Sequence, residues 1–124
     1  MHSLVITKTF KDKEFSPLAS SFSLEKIKSA SRLIKNGIGH NLKNNPTSYV
    51  AIKHTLTSKQ GAGRICCVLI FSMKLIIPVI LAKKNDKIGQ NMSFDNKGFL
   101  KKFLKNINLV EIDLREKRIE TYNI

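Results

Sequence analysis

The stretch from Gly61 to Asn91 constrains this chain most. Two apolar runs of strand length, Ile65 to Phe71 and Leu75 to Ala82, are separated only by Ser72-Met73-Lys74. Their β-branched content suits a pleated surface, and a link this short makes them an antiparallel hairpin. A single spanning helix is the rival use of Ile65 to Ala82, which has about the right length. Lys74 near its centre opposes that, at about 3 kcal/mol for membrane insertion, so no membrane partner is expected. Pro78 removes one ladder hydrogen bond and so marks an edge position or a bulge. In the hairpin, Arg64 at the entrance and Lys83, Lys84 and Lys87 at the exit share one end of the sheet. A rigid floor carrying that much positive charge suits a polyanion.

The other elements are read around this hairpin. Leu4 to Phe10 is a first strand, and Lys11 to Glu14 begins a helical turn. Ser16-Pro17 starts a short helix to about Ser21, with serine as cap and proline in the first turn. Ser23 caps a second helix, in which Leu24, Ile27, Ser31 and Ile34 recur at helical spacing until Asn36-Gly37 ends it. Lys26, Lys28, Arg32 and Lys35 lie largely outside that stripe and read as a solvated face. His40 to Ser48 is a polar loop and Tyr49 to His54 a strand, with Val50 and Ile52 toward the core. Thr55 to Gly63 is read as a flexible connection. Asp95 or Asn96 caps a last helix through Phe99, Phe103, Ile107, Val110 and Leu114, and Arg118 to Ile124 is an extended tail. The expected fold class is α+β: a small twisted antiparallel sheet backed by an N-terminal helical pair and a C-terminal helix. Residues 1–124 form one domain.

Charge narrows the partner class. Twenty-two Lys and Arg against 9 Asp and Glu give +13, and no carboxylate occurs from Lys26 to Asn85. A field of that sign draws nucleic acid first. Cys66 and Cys67 are adjacent, so on a strand they point to opposite faces. They suit buried free thiols rather than a disulfide or a metal site. With no apolar leader visible at the N-terminus, buried free thiols in a reducing cytoplasm are the expectation. Three scattered histidines offer no metal-ligand spacing and no nucleotide-binding loop is present, so neither metal nor cofactor is expected.

Taken in order, the first strand, the helical pair, the Tyr49-x-x-Ile52-Lys53 strand, the Gly61-Ala62-Gly63-Arg64 hairpin entrance and the Ile77-Pro78-Val79-Ile80-Leu81-Ala82-Lys83-Lys84 exit resemble the RelE/ParE superfamily of bacterial type II toxins. The resemblance covers most of the chain in element order and is most specific from Gly61 to Lys87. It implies a toxin held by a cognate antitoxin, which touches DNA only indirectly through the toxin–antitoxin complex. The RelE-like branch, which fits best, implies a ribosome-dependent mRNA endonuclease that blocks translation. The ParE-like branch implies inhibition of DNA gyrase. A non-catalytic, basic nucleic-acid-binding protein on the same scaffold is the third reading.

The resemblance makes Arg64 a catalytic or phosphate-binding residue and Lys53 a basic neighbour, with Lys83, Lys84 and Lys87 as further cations. It offers Tyr122 as the aromatic residue near the C-terminus. RNA cleavage through the 2′-hydroxyl needs a proton acceptor, a stabiliser of the charged phosphorane and a proton donor. Arg64 supplies the second with its planar fork. His54 titrates near neutrality and is a candidate acid or base. Lys83 is the cation placed nearest Arg64, and a lysine with its pKa lowered by cationic neighbours is another candidate base. Lys53, Lys59, Lys84 and Lys87 anchor RNA phosphates.

Overall fold

The computed structural model describes residues 2–124. One six-stranded sheet runs through the molecule in the order β2-β3-β4-β5-β1-β6. The strands are β1 (Ser3–Thr7), β2 (His40–Asn41), β3 (Val50–Ser58), β4 (Gly61–Ile70), β5 (Leu75–Lys83) and β6 (Ile119–Asn123). The expected α+β class holds, with one departure in the sheet: β1 joins β5 in parallel, while every other pair is antiparallel.

The hairpin forms as its two apolar runs dictate, β4 against β5. The turn Phe71–Met73 closes on Lys74, whose φ of 53° is the left-handed conformation that reverses the chain. At Pro78 the register slips: Cys67 lies opposite Pro78 but Cys66 lies opposite Ile80. Val79 is therefore an extra residue, a bulge that absorbs the proline. The expected flexible connection from Thr55 to Gly63 is mostly strand. β3 and β4 stay paired down to Ser58 and Gly61, leaving only Lys59-Gln60 as the turn. Gly61, at φ 115°, takes the turn conformation that a side chain would oppose.

The N-terminal helical pair is also corrected. β1 stops at Thr7, and the chain then coils through a π-helical turn, Phe10–Phe15, and a single 3₁₀ turn, Ser16–Leu18. Only one regular helix follows, α1 (Leu24–Lys35), capped by Ser23, whose hydroxyl accepts the Lys26 N–H. The irregular turn fills space beside β5 that β1, diverging after Leu4, does not cover. Glu14 there is buried, and its carboxylate accepts the Leu81 N–H at 3.1 Å as a neighbouring strand would. A short helix α2 (Lys87–Gln90) precedes α3 (Lys97–Arg115), which Asn96 caps through the Phe99 N–H at 2.9 Å. α3 runs unbroken through Asn108 because Phe99, Phe103, Ile107 and Val110 keep a helical apolar stripe in the core. The extended tail becomes β6, antiparallel to β1.

Both faces of the sheet are covered. Phe22, Ile27 and Ile34 pack on Ile52, Ile65 and Leu69 on one side. Phe94, Phe99 and Phe103 pack on Cys66, Val68 and Ile80 on the other.

Candidate functional site

The site begins with strand parity. Side chains alternate faces along a strand, so residues paired across strands share one. Arg64 lies opposite Thr55 on β3 and Ala82 on β5. Lys53 lies two residues from Thr55 on the same face, opposite Cys66. β2 adds one more strand at the rim, with His40 opposite Lys53. That close pairing depends on Gly39, where a Cβ would stand 2.7 Å from Ile52 Cγ2 and 3.1 Å from the Lys53 carbonyl oxygen. The segment before α3 comes up from below. The result is an open cleft of about 450 Å³ lined chiefly by His40, Lys43, Lys53, His54, Thr55, Arg64, Met92, Ser93 and Asp95.

The wall is fixed by local bonds. Lys53 Nζ donates to the Met92 carbonyl oxygen at 3.2 Å, which ties β3 to the segment before α3. Asn44 donates to Asp95 at 3.2 Å and links the 43–49 loop to the opposite wall. Within that loop Asn45 donates to the Tyr49 carbonyl oxygen at 2.6 Å and accepts the Thr47 N–H at 2.8 Å. Such side-chain to backbone bonding holds a polar loop without a core of its own. Arg64 is half-buried, and neither it nor Lys43 nor Lys53 has a salt-bridge partner among the described residues. Three cations therefore face one carboxylate across the cleft.

His54 sits between two hollows. It borders the cleft and also a smaller groove, about 160 Å³, between β3 and the α1 residues Lys26, Ser29, Ala30 and Leu33. Burial lowers its pKa, and the nearby His40 lowers it further, both favouring the neutral imidazole. The thiol of Cys66, beneath Lys53, is pushed up to about 12 by burial, with Lys53 pulling the other way. Burial raises the Cys67 thiol well above its ordinary value too. Both are fully buried free thiols and poor nucleophiles.

Of the residues singled out from the sequence, the cleft gathers Arg64 and Lys53 on one face; His54, opposite Ile65, lies on the α1 face of β3 and meets the cleft only at its rim. Lys83 is a correction. It lies opposite Gly63, one residue out of step with Arg64, and so belongs to the other face. The bulge causes this. Had the register that starts at Ile70 and Leu75 continued through Val79 without a bulge, Lys83 would lie opposite Ala62, on the face of Arg64; the slip of one residue reverses its parity. Tyr122 is a second correction. It lies on β6 at the far edge of the sheet, where its hydroxyl donates to Glu120 at 2.7 Å and the Lys28 ammonium rests 4.4 Å from its ring centroid. Lys59 is on the β3–β4 turn, and Lys84 and Lys87 are exposed beyond the end of β5; none of the three lines the cleft. His40, Lys43 and Asp95 do line it and were not expected there. The Gly37-Ile38-Gly39 reversal ahead of His40 is the one sequence signal that the chain doubles back onto β3.

No three or more His, Cys, Asp or Glu side chains cluster as a metal site among the described residues, and no helix is long and apolar enough to cross a membrane. Comparison with protein-family models, with curated proteins and with solved structures returns no match.

Proposed function

We propose that the cleft binds the phosphate backbone of RNA and that the chain is a RelE-like toxin. Its activity in this reading is ribosome-dependent cleavage of mRNA, held in check by an antitoxin whose acidic segment covers the same charge. The observation that carries the reading is the convergence of Arg64, Lys53 and Lys43 in one open cleft beside His40, with Asp95 as the carboxylate among its lining residues.

Each residue has a part the geometry allows. The guanidinium of Arg64 grips two phosphate oxygens and stabilises the charge that develops on phosphorus. Lys53 spends one of its three donors on Met92 and keeps two for a second phosphate. His40, which shares the face of Lys53, can accept the 2′-hydroxyl proton and, as the imidazolium, return it to the leaving oxygen. In this scheme fixed cations do the electrostatic work and no metal takes part.

The test is Arg64→Ala. Loss of one such charge-stabilising donor lowers single-turnover cleavage by about 10²–10³-fold. Arg64→Lys restores little of it, because lysine lacks the bidentate fork. Mapping of mRNA 5′ ends by primer extension, with and without translation, reads the cuts. A folded Arg64→Ala variant that arrests growth and cuts mRNA like the wild type would refute the assignment.

A further inference from the structure

The positive charge is not spread evenly over the surface. Among the described residues, all salt bridges are held by Asp12, Glu14, Glu25, Asp113, Glu116 and Glu120, and the cations they engage are Lys8, Lys11, Lys28, Lys102 and Arg118. Apart from Glu25 at the start of α1, these carboxylates lie along the β1–β6 side of the molecule, on the turn after β1, the end of α3 and β6. The opposite side keeps its lysines without carboxylate partners.

One group of these is ordered. Lys97, Lys101 and Lys105 recur every fourth residue along α3, all exposed. Four residues of helix advance about 6 Å, which is close to the distance between successive phosphates on an extended single strand. Lys102, their neighbour in sequence, is turned the other way and bridges to the buried Glu14 at 3.3 Å. The row also starts at the cleft. Ser93 and Asp95 form the cleft wall, Asn96 caps α3, and Lys97 is the first residue of the helix. The helix itself is firmly seated by Phe99, Phe103, Ile107 and Val110, so the three ammonium groups stand on a rigid rod.

We propose that Lys97, Lys101 and Lys105 form a backbone track that carries a single RNA strand away from the cleft along the outer face of α3. The inference rests on the reading that the cleft holds an RNA phosphate. It extends that reading from one phosphate to a run of several, and it makes strand length part of what the protein recognises. The contacts are to phosphate alone, so the track is indifferent to sequence.

The experiment measures binding of two labelled oligouridylates by fluorescence anisotropy, one of about four nucleotides and one of about sixteen. The triple variant K97Q/K101Q/K105Q is expected to bind the long strand at least about tenfold more weakly at low salt, and the short strand as the wild type does. Its log–log salt slope for the long strand falls by about 2, for three released counterions on a single strand. The control K13Q/K74Q/K117Q removes the same charge from exposed sites off α3, and circular dichroism confirms that both variants are folded. Equal losses in the two triples, or no loss in either, would overturn the track. So would unchanged RNA binding with lost adhesion to anionic vesicles, which would make the row a membrane surface. A wild type that holds the long strand through these lysines but shows no Arg64-dependent binding of the short one would refute the cleft reading and leave the track standing.

Discussion

Gly63→Ala tests the packing that sets Arg64 in place. Gly63 is the residue before Arg64, on the opposite face, and the ring of Phe22 lies directly over it. A Cβ built there stands 2.4 Å from Phe22 Cζ, 2.8 Å from Cε2 and 3.0 Å from Cε1. Carbon atoms rest at about 3.5–4.0 Å, so the ring must retreat by about 1 Å. Phe22 is only 1% exposed and has no solvent to retreat into. Overpacking of that kind costs about 1–3 kcal/mol. Alanine recovers about 0.5–1 kcal/mol by restricting the unfolded chain. Taking the middle of each range, the net loss is about 1 kcal/mol, an appreciable part of an ordinary domain's stability. Urea denaturation followed by circular dichroism measures it. Phe22→Leu, destabilising by itself, makes room for the methyl group, so the double variant should lose about 1 kcal/mol less than the two single losses together. Gly63→Ala within about 0.5 kcal/mol of wild type, or strict additivity of the pair, would refute the argument that this glycine is required by the ring.

Glu14→Ala leaves the Leu81 N–H without its acceptor and is expected to cost about 2–3 kcal/mol. Glu14→Gln, which keeps an acceptor, should cost clearly less in thermal denaturation. Burial alone would raise the pKa of Asp113, but the bonds from Thr9 and Arg118 outweigh it and the net shift is downward. Its stabilisation is thus complete above the ordinary carboxylate value of 3.8 and is lost as pH falls through the lowered folded value. Asp113→Asn should flatten that acid limb in pH-dependent denaturation. The lowered pKa of His54 gives a second, higher window: stability declines as pH drops below the ordinary imidazole value of 6.5, and His54→Gln should remove this step. Asp95→Asn removes the only carboxylate in the cleft. It should tighten binding of a short RNA strand and steepen its salt dependence, whereas weaker binding would give Asp95 a positioning role through Asn44.

The legible parts of this fold are those specified locally. Ser23 and Asn96 cap helices where their hydrogen-bonding side chains precede an apolar stripe, and Lys74 turns the hairpin between two apolar runs. Pro78 marks a bulge because it cannot donate. What the bulge does was not legible. A single extra residue decides whether Lys83 or Ala82 shares a face with Arg64, and nothing in the composition of β5 says where that residue falls. The longer hairpin is not legible because Thr55 to Gly63 is polar and glycine-rich, and its strands are held by ladder bonds rather than by apolar alternation. β2 is hidden for the same reason. Two residues carry no periodicity, and their pairing is decided by the close approach that Gly39 permits. His40 entered the cleft by that route, and Lys43 and Asp95 by the loops it anchors.

The segregation of charge follows from the order of the chain. The segment without carboxylates, Lys26 to Asn85, folds into α1 and the β2-β3-β4-β5 side of the sheet. The carboxylates, concentrated near the two ends of the chain, meet where β1 pairs with β6, and there they neutralise one another's neighbours. Among the described residues Arg64 has no such partner. Its cleft holds Lys43 and Lys53 as well, and like charges gathered on one wall oppose the compact state. The opposition is moderated by the carbonyl oxygen that Lys53 meets at Met92 and by Asp95 across the gap. Neither cancels it. A phosphate group bound between these side chains would remove repulsion as well as make contacts. The lysines at the end of β5 are exposed and better solvated, so an anion there would relieve less repulsion.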